Sequence, residues 1–223
     1  GMQDLESIIP LHVHPILLPK AETADQVIAM EAKVQSILKE KKLKKNIYYM
    51  PILESARGVL NAYDIATASK NNVGLAMGLE DYTADIGTQR TLEGKESFFA
   101  RSMLVNAARA AGIQPIDTVF SDVSNETALR ESVRVTKSMG FDGMGCIHPR
   151  QIKPIHEEFA PTEAEITKAK RIIIAADEAE AQGLGVVAVG SKMIDPPVVK
   201  RAERTIRMAV DTGMLEKNWK ELG

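Results

Sequence analysis

Apolar residues along this chain alternate between short runs and longer stretches in which they return every three or four positions. The short runs are Ile16-Leu-Leu-Pro-Lys-Ala, Asn46-Ile-Tyr-Tyr-Met-Pro-Ile-Leu-Glu, Val73-Gly-Leu-Ala-Met-Gly-Leu, Asp117-Thr-Val-Phe-Ser and Gly143-Met-Gly-Cys-Ile-His. Their length and their branched and aromatic content predict strands. Ala24 to Lys39, Val59 to Ser69, Glu96 to Ala111 and Asn125 to Met139 carry the helical period instead. Five strands alternating with helices predict parallel pairing through crossover helices, and hence an α/β sheet or barrel.

The punctuation of the helices agrees with this pattern. Ser124 stands before the run that Gly140 closes, a side-chain cap at one end and a left-handed stop at the other. Thr162 and Glu165 have capping-box spacing ahead of a helix expected to reach about Gln182 and stop at Gly183. Pro196 and Pro197 should open a last helix that ends near Gly213. The expected division is an α/β part over 1–160 and a C-terminal helical segment over 161–223.

Composition narrows the class. With 44% hydrophobic and 26% charged residues among 223, the chain can bury a core of globular size. A formal charge of -2 provides no global field for nucleic acid or an anionic membrane, so neither is expected as a partner. The Lys39-Glu-Lys-Lys-Leu-Lys-Lys run reads as a solvated helix end, where cations suit the dipole. A single cysteine, Cys146, excludes an intramolecular disulfide framework and favours a reducing, cytoplasmic location. No apolar run approaches the roughly 20 residues that span a bilayer, and no basic-then-apolar signal pattern opens the chain. Gly1 ahead of Met2 reads as a tag remnant.

In parallel α/β folds, ligands collect at the carboxyl ends of the strands. Three such ends carry acids: Glu54, Asp81 after Gly78-Leu-Glu, and Asp122 after Thr118-Val-Phe-Ser. Acids on adjacent strand ends point into one mouth and repel unless a cation lies between them. With no His or Cys close to them in sequence, an all-oxygen site favours Mg2+ or Mn2+ over zinc. The same acids would equally serve as helix caps or solvated loop residues. His12 and His14 read as structural or solvent-exposed, whereas His148 stands at the mouth, able to touch substrate or to bond backbone carbonyls. Cys146, inside an apolar strand with no activating neighbour, reads as a core residue. Gly74, Gly78, Gly143 and Gly145 flank strands without forming a GxGxxG motif or a P-loop, so nucleotide hydrolysis has no support.

Taken in order, Leu17-Leu-Pro-Lys-Ala-Glu, Ile52-Leu-Glu-Ser-Ala-Arg-Gly, Gly78-Leu-Glu-Asp-Tyr-Thr-Ala-Asp, Asp117-Thr-Val-Phe-Ser-Asp, Ile147-His-Pro-Arg-Gln-Ile and Lys192-Met-Ile-Asp-Pro-Pro resemble one family. It is the citrate lyase beta subunit family, the citryl-CoA and malyl-CoA lyases of the phosphoenolpyruvate-binding barrel group. The resemblance covers essentially the whole chain and implies a (β/α)8 TIM-barrel type fold. It implies Mg2+, or Mn2+, at the mouth and cleavage of a carbon-carbon bond in a 3-hydroxy-acyl thioester such as citryl-CoA or a citryl carrier protein. Glu54 matches the family's "ETARG"-like glutamate and Asp81 the second acid of its "GxED" motif, which makes them the implied metal ligands. Asp195 matches the "KMID" aspartate, implying a catalytic acid-base role on a C-terminal segment that reaches a neighbouring subunit, and hence a homo-oligomer with shared sites. Gly190-Ser191 replaces the Asp-Gly that usually precedes Lys-Met.

Family members begin with three further strand-helix units, carrying an "LDLED"-like acidic motif and a carboxylate-gripping arginine in a "VRVN"-like strand. None of these motifs occurs in this sequence. The expectation is therefore the last five strand-helix units of a barrel plus C-terminal helices, its open edges covered by association, by swapping or by a partner supplying strands. Two functions follow from the resemblance: a Mg2+-dependent lyase, and a non-catalytic or partner-requiring scaffold subunit of the same family. The choice among citryl, malyl and related thioesters, and between CoA and a carrier protein as the thiol, stays open at the level of sequence.

Overall fold

The computed structural model describes residues 3–11, 13–183, 187–189 and 192–221; His12, Gly190 and Ser191 lie outside them. Contacts divide the chain into two compact units, 1–155 and 156–223, each described by itself.

The first unit opens with α1 (Asp4–Ile8) and β1 (Ile16–Leu18), followed by α2 (Ala24–Glu40) and β2 (Tyr49–Leu53). Next come α3 (Ala56–Leu60), α4 (Ala62–Thr67), β3 (Gly74–Met77), α5 (Leu79–Asp85) and α6 (Phe98–Ala111). It ends with β4 (Gln114–Asp117), α7 (Glu126–Met139), β5 (Gly143–Met144) and the start of α8 (Ile152–Phe159). The five strands form one sheet in the order β1-β2-β3-β4-β5, and every neighbouring pair is parallel. Sequential order with a helix between each pair is the arrangement of consecutive barrel units. All five strands expected from the sequence are present.

Several boundaries have local causes. The helix expected from Val59 to Ser69 is two helices, because Asn61 leaves helical geometry at φ -96 and ψ 13 and donates its side-chain amide to the Glu22 carbonyl at 2.8 Å. Ser124 is not the cap of α7: Asn125 fills that position, its Oδ1 accepting from Ala128 N–H, while the Ser124 hydroxyl donates to Asp122. Gly140 stops α7 at φ 98, where a side chain would be strained. The ladder takes in Gln114 to Asp117 rather than the apolar residues that follow, so β4 sits earlier than its sequence pattern suggests. β5 ends at Met144, which leaves Cys146 exposed beyond the sheet and corrects the expectation of a core cysteine.

α6 lies against β3 and β4, burying Leu53, Leu75, Met77, Leu104 and Phe141 in the main core. A second cluster joins α1 and α2 to the start of β2 through Ile9, Val34, Ile37 and Tyr49. The 156–223 unit has its own core, in which α9 (Glu163–Ala181) and α10 (Pro196–Asp211) pack around Ile166, Ile173, Ile206 and Ala209. The antiparallel strands β6 (Val187–Val189) and β7 (Lys192–Ile194) join them. The Thr162/Glu165 capping box opens α9, and Pro196 and Pro197 open α10.

One charged pair is built into the main core. The Asp117 carboxylate, at the end of β4, accepts from the Arg101 guanidinium of α6, and the Thr136 hydroxyl of α7 donates to it at 2.7 Å. Arg101 and Asp117 are 7% and 2% exposed, and the guanidinium lies 5.7 Å from the centre of the Phe141 ring. Removing one partner strands a buried charge, so Asp117→Ala should lower the unfolding free energy by about 3–5 kcal/mol. Lys33→Ala, which breaks an exposed pair with Glu6, should cost less than about 1 kcal/mol. Urea unfolding of both variants followed by circular dichroism measures the difference; equal losses would contradict the account.

Candidate functional site

The carboxyl ends of β1, β2 and β3 bring three residues together. Glu54 follows β2, and Asp81 sits in the first turn of α5, directly after β3. Because β2 and β3 are hydrogen-bonded neighbours, the two acids stand at adjacent strand ends, and both reach Lys20. Burial pushes the Glu54 carboxyl above the usual carboxylate range; the backbone N–H of Lys20 opposes this, and the charge of Asp81 adds to it. Lys20 follows β1 and bridges the pair, its N–H donating to Glu54 Oε1 at 2.7 Å and its ammonium lying 3.5 Å from Asp81 Oδ1.

Gly78 makes the convergence sterically feasible. A Cβ at that position would lie 2.6 Å from Glu54 Oε2 and 2.8 Å from Glu54 Cβ. Any larger residue would therefore displace the carboxylate from the mouth.

Further bonds tie successive strand ends to one another. Asp85 of α5 accepts from Ala56 N–H at the start of α3 at 2.8 Å. Arg90 donates to Glu80 at 2.9 Å and to the Val119 carbonyl at 2.7 Å, linking the segments after β3 and β4. Gln151, 1% exposed, donates to the Phe120 carbonyl at 2.8 Å and accepts from Ile147 N–H at 3.0 Å, linking those after β4 and β5. Sequence reasoning did not single out Lys20, Arg90 or Gln151. Lys20, two residues beyond β1, shares with Glu54 the signal of a polar residue just past a strand end, whereas Arg90 and Gln151 lie well beyond β3 and β5 and carry no such mark.

The other candidates separate from this pair. Asp122 lies five residues beyond the end of β4, where the hydroxyl and N–H of Ser124 hold its carboxyl below the usual range. It belongs to a solvated turn and does not join Glu54 and Asp81. His148 Nδ1 accepts from Arg150 N–H at 3.2 Å, which leaves Nε2–H as its donor; the bond to a backbone carbonyl is not made there. Asp195 lies in the 156–223 unit and caps α10, its Oδ1 accepting from Val198 N–H at 3.1 Å. A cleft of about 690 Å3 with walls from Glu80, Arg90, Phe120, Asp122 and Glu131 excludes both Glu54 and Asp81.

Among the described residues no group of three or more His, Cys, Asp or Glu side chains gathers as a metal cage. Two carboxylates suit Mg2+, which keeps waters and is completed by its organic ligand, better than they suit zinc or calcium. The desolvated Glu54 carboxyl, the Asp81 carboxylate beside it and the room left by Gly78 fit such an ion.

Comparison with known proteins places this geometry. The family model described as HpcH/HpaI aldolase/citrate lyase matches residues 1–149. The citrate lyase subunit beta of Haemophilus influenzae is 42% identical over 210 residues, covering 94% of this chain and 72% of that protein. The mitochondrial citramalyl-CoA lyase of Mus musculus is 33% identical, covering 96% of this chain and 66% of that protein. The crystal structure of CitE from Mycobacterium tuberculosis in complex with magnesium, acetoacetate and coenzyme A superimposes with a TM-score of 0.72 at 30% identity, covering 93% of this chain and 72% of that one. Ordered strand-end motifs, a sequential parallel sheet and these similarities agree: the chain belongs to the HpcH/HpaI aldolase/citrate lyase family.

Proposed function

We propose that this protein is a Mg2+-dependent carbon-carbon lyase of the citrate lyase beta type, cleaving a 3-hydroxy-acyl thioester to an oxo acid and an acetyl thioester. The observation that carries this reading is the convergence of Glu54 and Asp81 at one mouth, in a chain that matches the citrate lyase subunit beta over most of its length. The CitE structure holds magnesium together with an oxo acid, acetoacetate, and coenzyme A, which supports this reading.

Glu54 and Asp81 would hold the ion, with the Lys20 N–H fixing one Glu54 oxygen in place. When bound, Mg2+ supplies Lewis-acid stabilisation of the negative charge that develops on the substrate oxygen. The substrate hydroxyl would pass its proton to solvent, the bond from its carbon to the thioester α-carbon would break as that carbon becomes the oxo carbon, and the electron pair of the broken bond would stay with the α-carbon. The resulting enolate takes up one proton and becomes the acetyl thioester. Asp195 is our candidate for that proton transfer and His148 Nε2 for a contact with substrate. CoA or an acyl carrier protein would supply the thiol, and the working form would be a cytoplasmic homo-oligomer. Leu17 supports association: it is 53% exposed on β1, which among the described residues pairs only with β2. No described helix is long and apolar enough to cross a membrane.

Three outcomes are expected. Purified protein should release oxo acid from citryl-CoA or malyl-CoA only when Mg2+ is present, as followed in a coupled assay. Mg2+ binding without turnover would favour the scaffold reading instead. By calorimetry, Glu54→Ala and Asp81→Ala should abolish Mg2+ binding with unchanged circular dichroism, and Gly78→Ala should weaken it at least tenfold; unchanged affinity in all three would sink the site. Light scattering at micromolar protein should give a mass above 24.4 kDa, and the monomer mass would contradict the oligomer.

A further inference from the structure

Lys20 stands out among the residues around the mouth. Its φ is 51, in the left-handed region that side chains other than Gly, Asn and Asp seldom occupy. That backbone aims its N–H at Glu54 Oε1, which accounts for the conformation. It does not account for a lysine, because any residue but proline supplies an N–H and glycine would adopt this φ without a steric penalty. The side chain has its own partner: the ammonium reaches across the mouth to Asp81 Oδ1 at 3.5 Å. One residue thus touches both acids, one through the backbone and the other through the only positive charge paired with Asp81 among the described residues. The side chain is 71% exposed, so the ammonium is held by charge and not by packing, and is free to swing away.

We propose that Lys20 is the resident counter-cation of the acid pair: its ammonium neutralises Asp81 while no divalent ion is bound, and moves to an anionic group of the substrate when one is. The inference rests on the reading of Glu54 and Asp81 as ligands of a divalent cation. Once such an ion neutralises Asp81, the ammonium loses its partner and is repelled by the ion. An α-oxo or hydroxy acid at the mouth carries a carboxylate, an anion to which it can turn. Lys20 would thereby supply, from within this chain, a cation for the substrate carboxylate.

The test is calorimetric, using MgCl2 alone and then oxaloacetate added to the Mg2+-loaded protein, on the wild type, Lys20→Met and Lys20→Arg. The backbone N–H survives in both variants, so Glu54 keeps its bond, and thermal unfolding near the wild-type temperature confirms the fold. Removing the competing charge should tighten Mg2+ binding in Lys20→Met by roughly three- to tenfold. The same variant, loaded with Mg2+, should bind oxaloacetate at least about fivefold more weakly, since a charge-assisted contact is lost. Lys20→Arg should stay close to the wild type in both. A lysine that only supports the fold would not move the two affinities in opposite directions. Unchanged or weaker Mg2+ binding in Lys20→Met overturns the counter-cation role, and unchanged oxaloacetate binding overturns the carboxylate grip. A wild type that binds no Mg2+ overturns the metal reading and this inference together, whereas a wild type that binds Mg2+ with Lys20→Met identical overturns the inference alone.

Discussion

Two carboxylates delivered by adjacent parallel strands to one mouth cannot both hold full charge at low cost, and the surroundings of the site answer that constraint. Register puts Glu54 and Asp81 side by side. Burial of Glu54 raises the cost of its charge, the Lys20 N–H and ammonium lower the cost of the pair, and the missing side chain at Gly78 leaves space for Glu54. A structural protein would gain more from removing one acid than from accommodating both. Keeping both is what a divalent cation with an organic ligand requires.

The rest of the first unit serves to keep that mouth in shape. Each strand end is tied to the next by a side chain: Lys20 backbone to Glu54, Asp85 to Ala56, Arg90 across to Val119, and Gln151 across to Phe120. Below this ring the buried Arg101–Asp117–Thr136 network fixes α6 and α7 against β4. A charged pair in the core adds little net stability compared with apolar packing, but it penalises alternative placements of the helices. Such fixing matters for a site whose donors come from different strands, because a displacement of about 1 Å costs catalysis heavily.

Much of this was legible in the chain. Alternation of apolar runs with the helical period yields all five parallel strands in order, since period and crossover connectivity are local properties. Glu54 and Asp81 were visible because a strand end is also a sequence position. What lay hidden depends on contacts between distant segments. Asp117 reads as the first residue of a strand, yet it is the last residue of an earlier one, because its pairing with Arg101 and the ladder of Gln114 to Asp117 are set in three dimensions. Cys146 reads as core because apolar neighbours surround it in sequence, but β5 ends before it. Lys20 carries no mark in a hydropathy pattern, as its role comes from a left-handed backbone and a partner 61 positions away.

The central claim is that Glu54 and Asp81 together hold one divalent cation. Anomalous scattering from Mn2+ in crystals grown with MnCl2 and oxaloacetate tests it most directly. The account predicts a single strong peak at coordination distance from one oxygen of Glu54 and one of Asp81, with oxaloacetate oxygens completing the shell. A peak bound to only one of the two acids, or a mouth without one beside metal bound elsewhere, would contradict it.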